Sequence, residues 1–148
     1  MRTAVFCDTE SLYREVQARF QKRLNYTSYL AHLANYGYDV KIKVAYGNQK
    51  ATVVHRFIRA LNELGFQTHF NFGKDWHVEM VLDIINIHSK VDCIVLGTSE
   101  PVFAPLIPWL EAHGVRVLIF SALVPSKLSN LALVQEIDSS LLDEGKEA

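Results

Sequence analysis

Two hydrophobic periods alternate along this chain, and that alternation limits the folds open to it more than any other feature. Five short runs, residues 3–7, 39–46, 66–72, 91–97 and 115–120, are apolar throughout or apolar at every second position. A helical pattern, with apolar residues three or four apart, separates each run from the next. Val91 to Leu96 is almost wholly apolar, as a central parallel strand covered on both faces must be. Val40, Ile42 and Val44 alternate with Lys41 and Lys43, which predicts a strand with one wetter face. In 66–72 the alternate positions are Gln67, His69 and Asn71, which predicts an edge strand. Strands that alternate with helices predict right-handed crossovers and an α/β three-layer sandwich around a mainly parallel five-stranded sheet.

The helical segments are read as 11–24, a second helix capped by Asn25 or Thr27 and stopped near Gly37, 50–64, 77–88, 102–113 and 126–135. Pro105 and Pro108 make the first turns of the fifth irregular. A length of 148 residues suits one domain, taken as 1–138, followed by an acidic tail, 139–148. The net charge of -1 gives no argument for nucleic acid or an anionic membrane as a partner of the chain as a whole, and its 15 Lys and Arg leave room for a local basic patch. The opening apolar run is too short for a signal sequence, and no stretch is long enough for a membrane helix. Cys7 and Cys93 lie inside apolar runs. They are expected to be reduced, buried and close together on adjacent strands of a cytoplasmic protein.

In a parallel α/β sheet, ligands bind outside the carboxyl ends of the strands. The loops after residues 7, 46, 72, 97 and 120 are therefore the first places to seek chemistry. Asp8 ends the first strand and Glu100 follows the fourth. If those strands are neighbours, the two carboxylates converge and suit Mg²⁺ or Mn²⁺. The alternative gives them helix-start roles, Asp8 as an N-cap and Glu100 as a favourable charge.

Three segments carry a resemblance. Val5-Phe6-Cys7-Asp8-Thr9-Glu10-Ser11-Leu12-Tyr13 resembles the opening strand and turn of NYN domains, the LabA-like branch of the PIN-like nuclease superfamily, with Ser11 where Asn is usual. Lys74 to Asp83 resembles the family's Lys-Gly-x-Asp-Val and the helix after it: Lys74, Val78 and Asp83 match, and His77 replaces an Asp. Asp92 to Val117 follows the family's strand, loop, helix and strand. Its Thr98-Ser99-Glu100-Pro101-Val102-Phe103 stands where Ser-Gly-Asp-x-Asp-Phe is usual.

The resemblance implies a Rossmann-like PIN fold with strand order 3-2-1-4-5 and a metal-dependent RNA endonuclease. The alternative is a degenerate relative that uses the fold as a scaffold for RNA or protein. Under the first reading Asp8 and Glu100 hold Mg²⁺ or Mn²⁺, with Asp83 supporting them and His77 as auxiliary ligand or proton-transfer group. Lys74, Ser11, Ser99 and Thr98 are then the candidate substrate-binding residues. Val102 removes one acid of the usual set, and a histidine nitrogen at 77 suits Mn²⁺ or Zn²⁺ better than Mg²⁺. Glu79, Asp83 and Asn86 also fit a solvated helix face. Lys41, Lys43, Lys50, Arg56 and Arg59 add charge for phosphate contacts, and Trp76 and Tyr46 are candidates for base stacking. The 66–72 edge and the apolar 102–110 segment with Trp109 are candidates for a homodimer contact.

Overall fold

The computed structural model describes residues 1–49, 54–73 and 76–143. The elements in chain order are β1 (Arg2–Asp8), α1 (Thr9–Phe20), β2 (Arg23–Leu24), α2 (Tyr26–Asn35), β3 (Asp39–Asn48), α3 (Val54–Glu63), β4 (Gln67–Asn71), α4 (Trp76–Ile87), β5 (Cys93–Gly97), α5 (Leu106–Ala112), β6 (Arg116–Ser121), α6 (Ser126–Ser129), β7 (Leu133–Glu136) and β8 (Leu142–Asp143). Six strands form one sheet in the order β4-β3-β1-β5-β6-β7, with every pairing parallel. Its first five members are the five expected strands in the expected order. The sixth, β7, lies in a stretch read as helix.

That difference has a physical cause. Leu131-Ala132-Leu133-Val134 is a short apolar run that fits either period, and the open edge of β6 offers it a ladder. The helix there shrinks to four residues. At the other end, α1 stops at Phe20 instead of reaching Leu24. Gln21 caps it in the left-handed region at φ 55°, and Arg23–Leu24 pairs antiparallel with β8. Residues 139–143, read as the start of the tail, thereby join the domain. Leu141 is buried, and its carbonyl accepts from the Asn25 amide.

The pleat sorts the core into two layers. Ala4 and Phe6 of β1 face α4, α5 and α6, packing with residues such as Met80, Ile84 and Ile107. Val5 and Cys7 face α1, α2 and α3, packing with Leu12, Val16, Tyr29 and Leu61. Trp109 is partly buried against the first layer and stacks on His113 at 4.0 Å. Gly97 marks the tightest approach of β1 and β5. A methyl group there would meet the Tyr29 hydroxyl at 2.8 Å and the Cys7 backbone at 3.3 Å.

Both cysteines are buried and free, and burial pushes their thiols up, Cys7 to about 12 and Cys93 to about 11. They are not close, however. Cys7 pairs with Gly97 and Cys93 with Thr3, so they sit at opposite ends of the β1–β5 ladder, about 13 Å apart at the strand rise. Among the described residues no helix is long and apolar enough to cross a membrane.

Candidate functional site

β1 delivers Asp8 to the carboxyl edge of the sheet between Tyr46 of β3 and the loop that follows Gly97. The side chain is only 1% exposed. Four protein donors converge on it. Oδ1 accepts from the Ser11 amide at 3.3 Å and from Trp76 Nε1 at 3.1 Å. Oδ2 lies 2.8 Å from His77 Nε2 and accepts from Thr98 Oγ1 at 3.3 Å. The Ser11 contact is the N-cap of α1, so Asp8 does serve its helix. The start of α4 supplies the other half of the grip, with consecutive residues Trp76 and His77.

Glu100 is tied in through Thr98, whose hydroxyl accepts from the Glu100 amide at 3.2 Å while donating to Asp8. Its carboxylate lies at the mouth of the crevice, 28% exposed, in an ion pair with Arg14 of α1. His77 packs edge-on against Phe103 at 5.4 Å. The hydrogen bond to Asp8 raises the His77 pKa. Burial opposes that, the charges of Asp8 and Glu100 add to it, and Arg14 opposes it. Thr98 is thus the residue through which the two acids are joined.

A second network lies behind the first. Glu15 of α1 is buried, and its Oε2 accepts from Ser11 Oγ at 3.0 Å. Its Oε1 accepts from Ser121 Oγ at 3.3 Å and from the Leu123 amide at 2.9 Å. Ser99 donates its hydroxyl to Ser121 at 2.9 Å and its amide to Ser11 Oγ at 3.2 Å. Ser11, Thr98 and Ser99 are therefore buried residues with protein partners.

Other candidates lie elsewhere. Asp83 sits two turns down α4 from Trp76, about 10 Å along the axis, and accepts from the Tyr46 hydroxyl at 2.6 Å. Tyr46 is fully buried, and Trp76 is 7% exposed with its indole N–H on Asp8, so neither offers an open face to a base. Lys43 Nζ donates to the Leu64 carbonyl, and Lys41 pairs with Asp39. Arg56 and Arg59 are exposed on α3. Lys50 and Lys74 lie outside the described residues.

The family model of the NYN domain matches residues 2–142. The chain belongs to the NYN domain family. That family lies in the PIN-like superfamily and suggests a nuclease-like, RNA-related function. No curated protein matches this NYN domain. Among solved structures it resembles a protein of unknown function from Vibrio parahaemolyticus RIMD 2210633, at 20% identity, over 95% of each chain, with a TM-score of 0.86. That likeness is one of fold.

PIN-like nucleases usually work with a divalent metal, and the described residues of this NYN domain's crevice, which do not include Asp75, are a poor fit for one. Asp8 already accepts from four donors, Glu100 is engaged by Arg14, and Val102, 58% exposed, offers no ligand atom. Among the described residues, Asp8 and Glu100 join no group of three or more ligand side chains, and the one such cluster is elsewhere.

The arrangement makes stability depend on pH. Because folding raises the His77 pKa, its contribution is fully present below the unfolded histidine value of about 6.5 and fades as pH rises through the folded value. Urea midpoints measured from about pH 6 to about pH 9 should fall in the wild type and fall less in His77→Asn. Equal slopes for the two proteins would remove His77 as the source.

Sequence reasoning missed Arg14 and Glu15 as parts of the site. The signal for Glu15 was available: it stands beside Leu12 and Val16 on the buried stripe of α1, four residues after Ser11, where a carboxylate needs a partner. The family resemblance put His77 at the crevice with Asp8, but not the direct bond between them.

Proposed function

We propose that this NYN domain is an RNA-binding member of its family whose hydrolytic site is closed, so that it holds single-stranded RNA without cutting it. One observation carries this reading. The Asp8 carboxylate, the acid that best matches the family pattern, is 1% exposed and saturated by Ser11, Trp76, His77 and Thr98. A carboxylate in that state binds its own helices together and has no lone pair directed at an ion. Arg14 supplies positive charge at the mouth, where a phosphate competes with Glu100 for the guanidinium. Arg56 and Arg59 extend the charge along α3. Buried free thiols at Cys7 and Cys93 suit the reducing cytoplasm, where we place the protein.

A second reading, a metal-dependent RNA endonuclease, is favoured by Glu100. Its part-exposed carboxylate would share Mg²⁺ or Mn²⁺ with Asp8 once the imidazole swings out. One experiment separates the two. A fluorescently labelled single-stranded RNA is titrated with protein, read by anisotropy, and then incubated with Mg²⁺ or Mn²⁺ and run on a gel. The closed-site reading expects saturable binding, weakened by Arg14→Ala, and intact RNA in both ions. Cleavage that Glu100→Gln abolishes selects the endonuclease. RNA that does not bind defeats both.

A further inference from the structure

Away from the crevice, β4 and α4 bring together three ligand-type side chains. His69 of β4 and Glu79 and Asp83 of α4 each place one ligand atom so that all three lie within 4.8 Å of one another. Glu79 and Asp83 are four residues apart, which stacks their carboxylates on one helix face. His69 faces them because its register partner is Tyr46, whose ring lies parallel to the imidazole at 5.3 Å and 17°. The stacking fixes the imidazole plane.

Two carboxylates one turn apart repel each other. Among the described residues the ion pair made here is His69 Nδ1 to Glu79 Oε2, at 3.1 Å, and a histidine is at most one positive charge. Tyr46 brings its hydroxyl to the same pair of carboxylates. That hydroxyl donates to Asp83 Oδ2 at 2.6 Å, the outer contact that orients a ligating carboxylate in metal sites. A cavity of about 160 Å³ has His69 and Asp83 in its lining, with Phe6, Ile42 and Val44. It leaves room for water beside His69 and Asp83.

We propose that His69, Glu79 and Asp83 form a binding site for a divalent transition-metal ion, with Zn²⁺ the best match. One imidazole nitrogen and two carboxylate oxygens are a three-ligand zinc set with room for water, whereas Mg²⁺ takes oxygen ligands in an octahedron. The ion fastens the edge strand β4 to α4. The first two residues of that helix, Trp76 and His77, grip Asp8, so a metal at this distance stiffens the crevice from outside.

The test uses the intact, metal-free protein and titrates Zn²⁺, Mn²⁺ and Mg²⁺ by calorimetry, with thermal unfolding alongside. The proposal expects one Zn²⁺ per chain, a raised Tm, and no response to Mg²⁺ at the same concentration. His69→Ala and, as a milder change on the exposed rim, Glu79→Gln should each weaken Zn²⁺ at least about tenfold, and Tyr46→Phe by about 10- to 100-fold through the outer contact. His113→Ala, which alters the separate His88–His113 ring pair, should leave the affinity unchanged. No Zn²⁺ binding, binding that survives both His69→Ala and Glu79→Gln, or binding lost in His113→Ala would each overturn the assignment.

Discussion

Replacing Asp8 with alanine is expected to destabilise the protein by about 3 kcal/mol, the low end of the cost of breaking a buried charged pair. The substitution strips the acceptor from three buried donors, the Ser11 amide, Trp76 Nε1 and Thr98 Oγ1, and removes the N-cap of α1. The Ser11 bond is that cap, whose loss costs about 1 kcal/mol, and orphaning Trp76 Nε1 and Thr98 Oγ1 costs about 1 kcal/mol each where water can reach them. His77 is 29% exposed and rehydrates in part, which keeps the total at the lower end. For a domain of this length the loss lowers Tm by roughly 6–12 °C. The sign matters more than the size. An acid held ready for a metal is strained by its site, and its removal is neutral or stabilising. A stabilised Asp8→Ala would therefore refute the closed-site reading.

The second large effect runs in the opposite direction. Introducing His77→Asp together with Val102→Asp exchanges the imidazole that fills Asp8 for a carboxylate and restores an acid at the exposed position beyond Glu100. Four acids then share one crevice, and without a cation they repel. The double variant should unfold earlier than wild type in chelator and recover in Mn²⁺, with Mn²⁺ bound at least about tenfold tighter than by wild type, or about 1.4 kcal/mol. RNA cleavage by the variant, absent from the parent, would show that the fold still aligns a scissile phosphate. If the variant neither binds more Mn²⁺ nor loses stability in chelator, the crevice geometry itself has diverged, and the cause is not side-chain replacement alone.

The sheet was readable because its strands carry clean periods. The almost wholly apolar run at residues 91–97 reads as central and the polar alternates of 66–72 as an edge, while 115–120, the outermost strand in the expected order, is covered by β7 in the folded chain. What escaped was short or conditional. Leu133–Glu136 is a strand only because β6 has a free edge, and Gln21 ends α1 in a left-handed conformation that no glycine announces. In the site, Asp8 was visible as a strand-end acid, and its capping role was one of the two readings open to it. His77 was visible as a replacement, yet nothing local says that it closes on Asp8. Asp83 was drawn toward the crevice by its family match, whereas α4 carries it away from that edge to Tyr46. Trp76 at a strand-end loop looked like a stacking platform, but its indole N–H is used inward.

The sheet order also sets a timetable for synthesis. β1 is made first but sits between β3 and β5, and Asp8 waits for Trp76, His77 and Thr98. At about 5–20 residues per second, the ribosome needs roughly 5 to 18 seconds to go from the first strand to its second neighbour. Throughout that interval the nascent chain carries a strand with at least one unpaired edge and a carboxylate without its permanent donors. A chain arrested before Gly97 therefore leaves β1 without its second neighbour and Asp8 without Thr98.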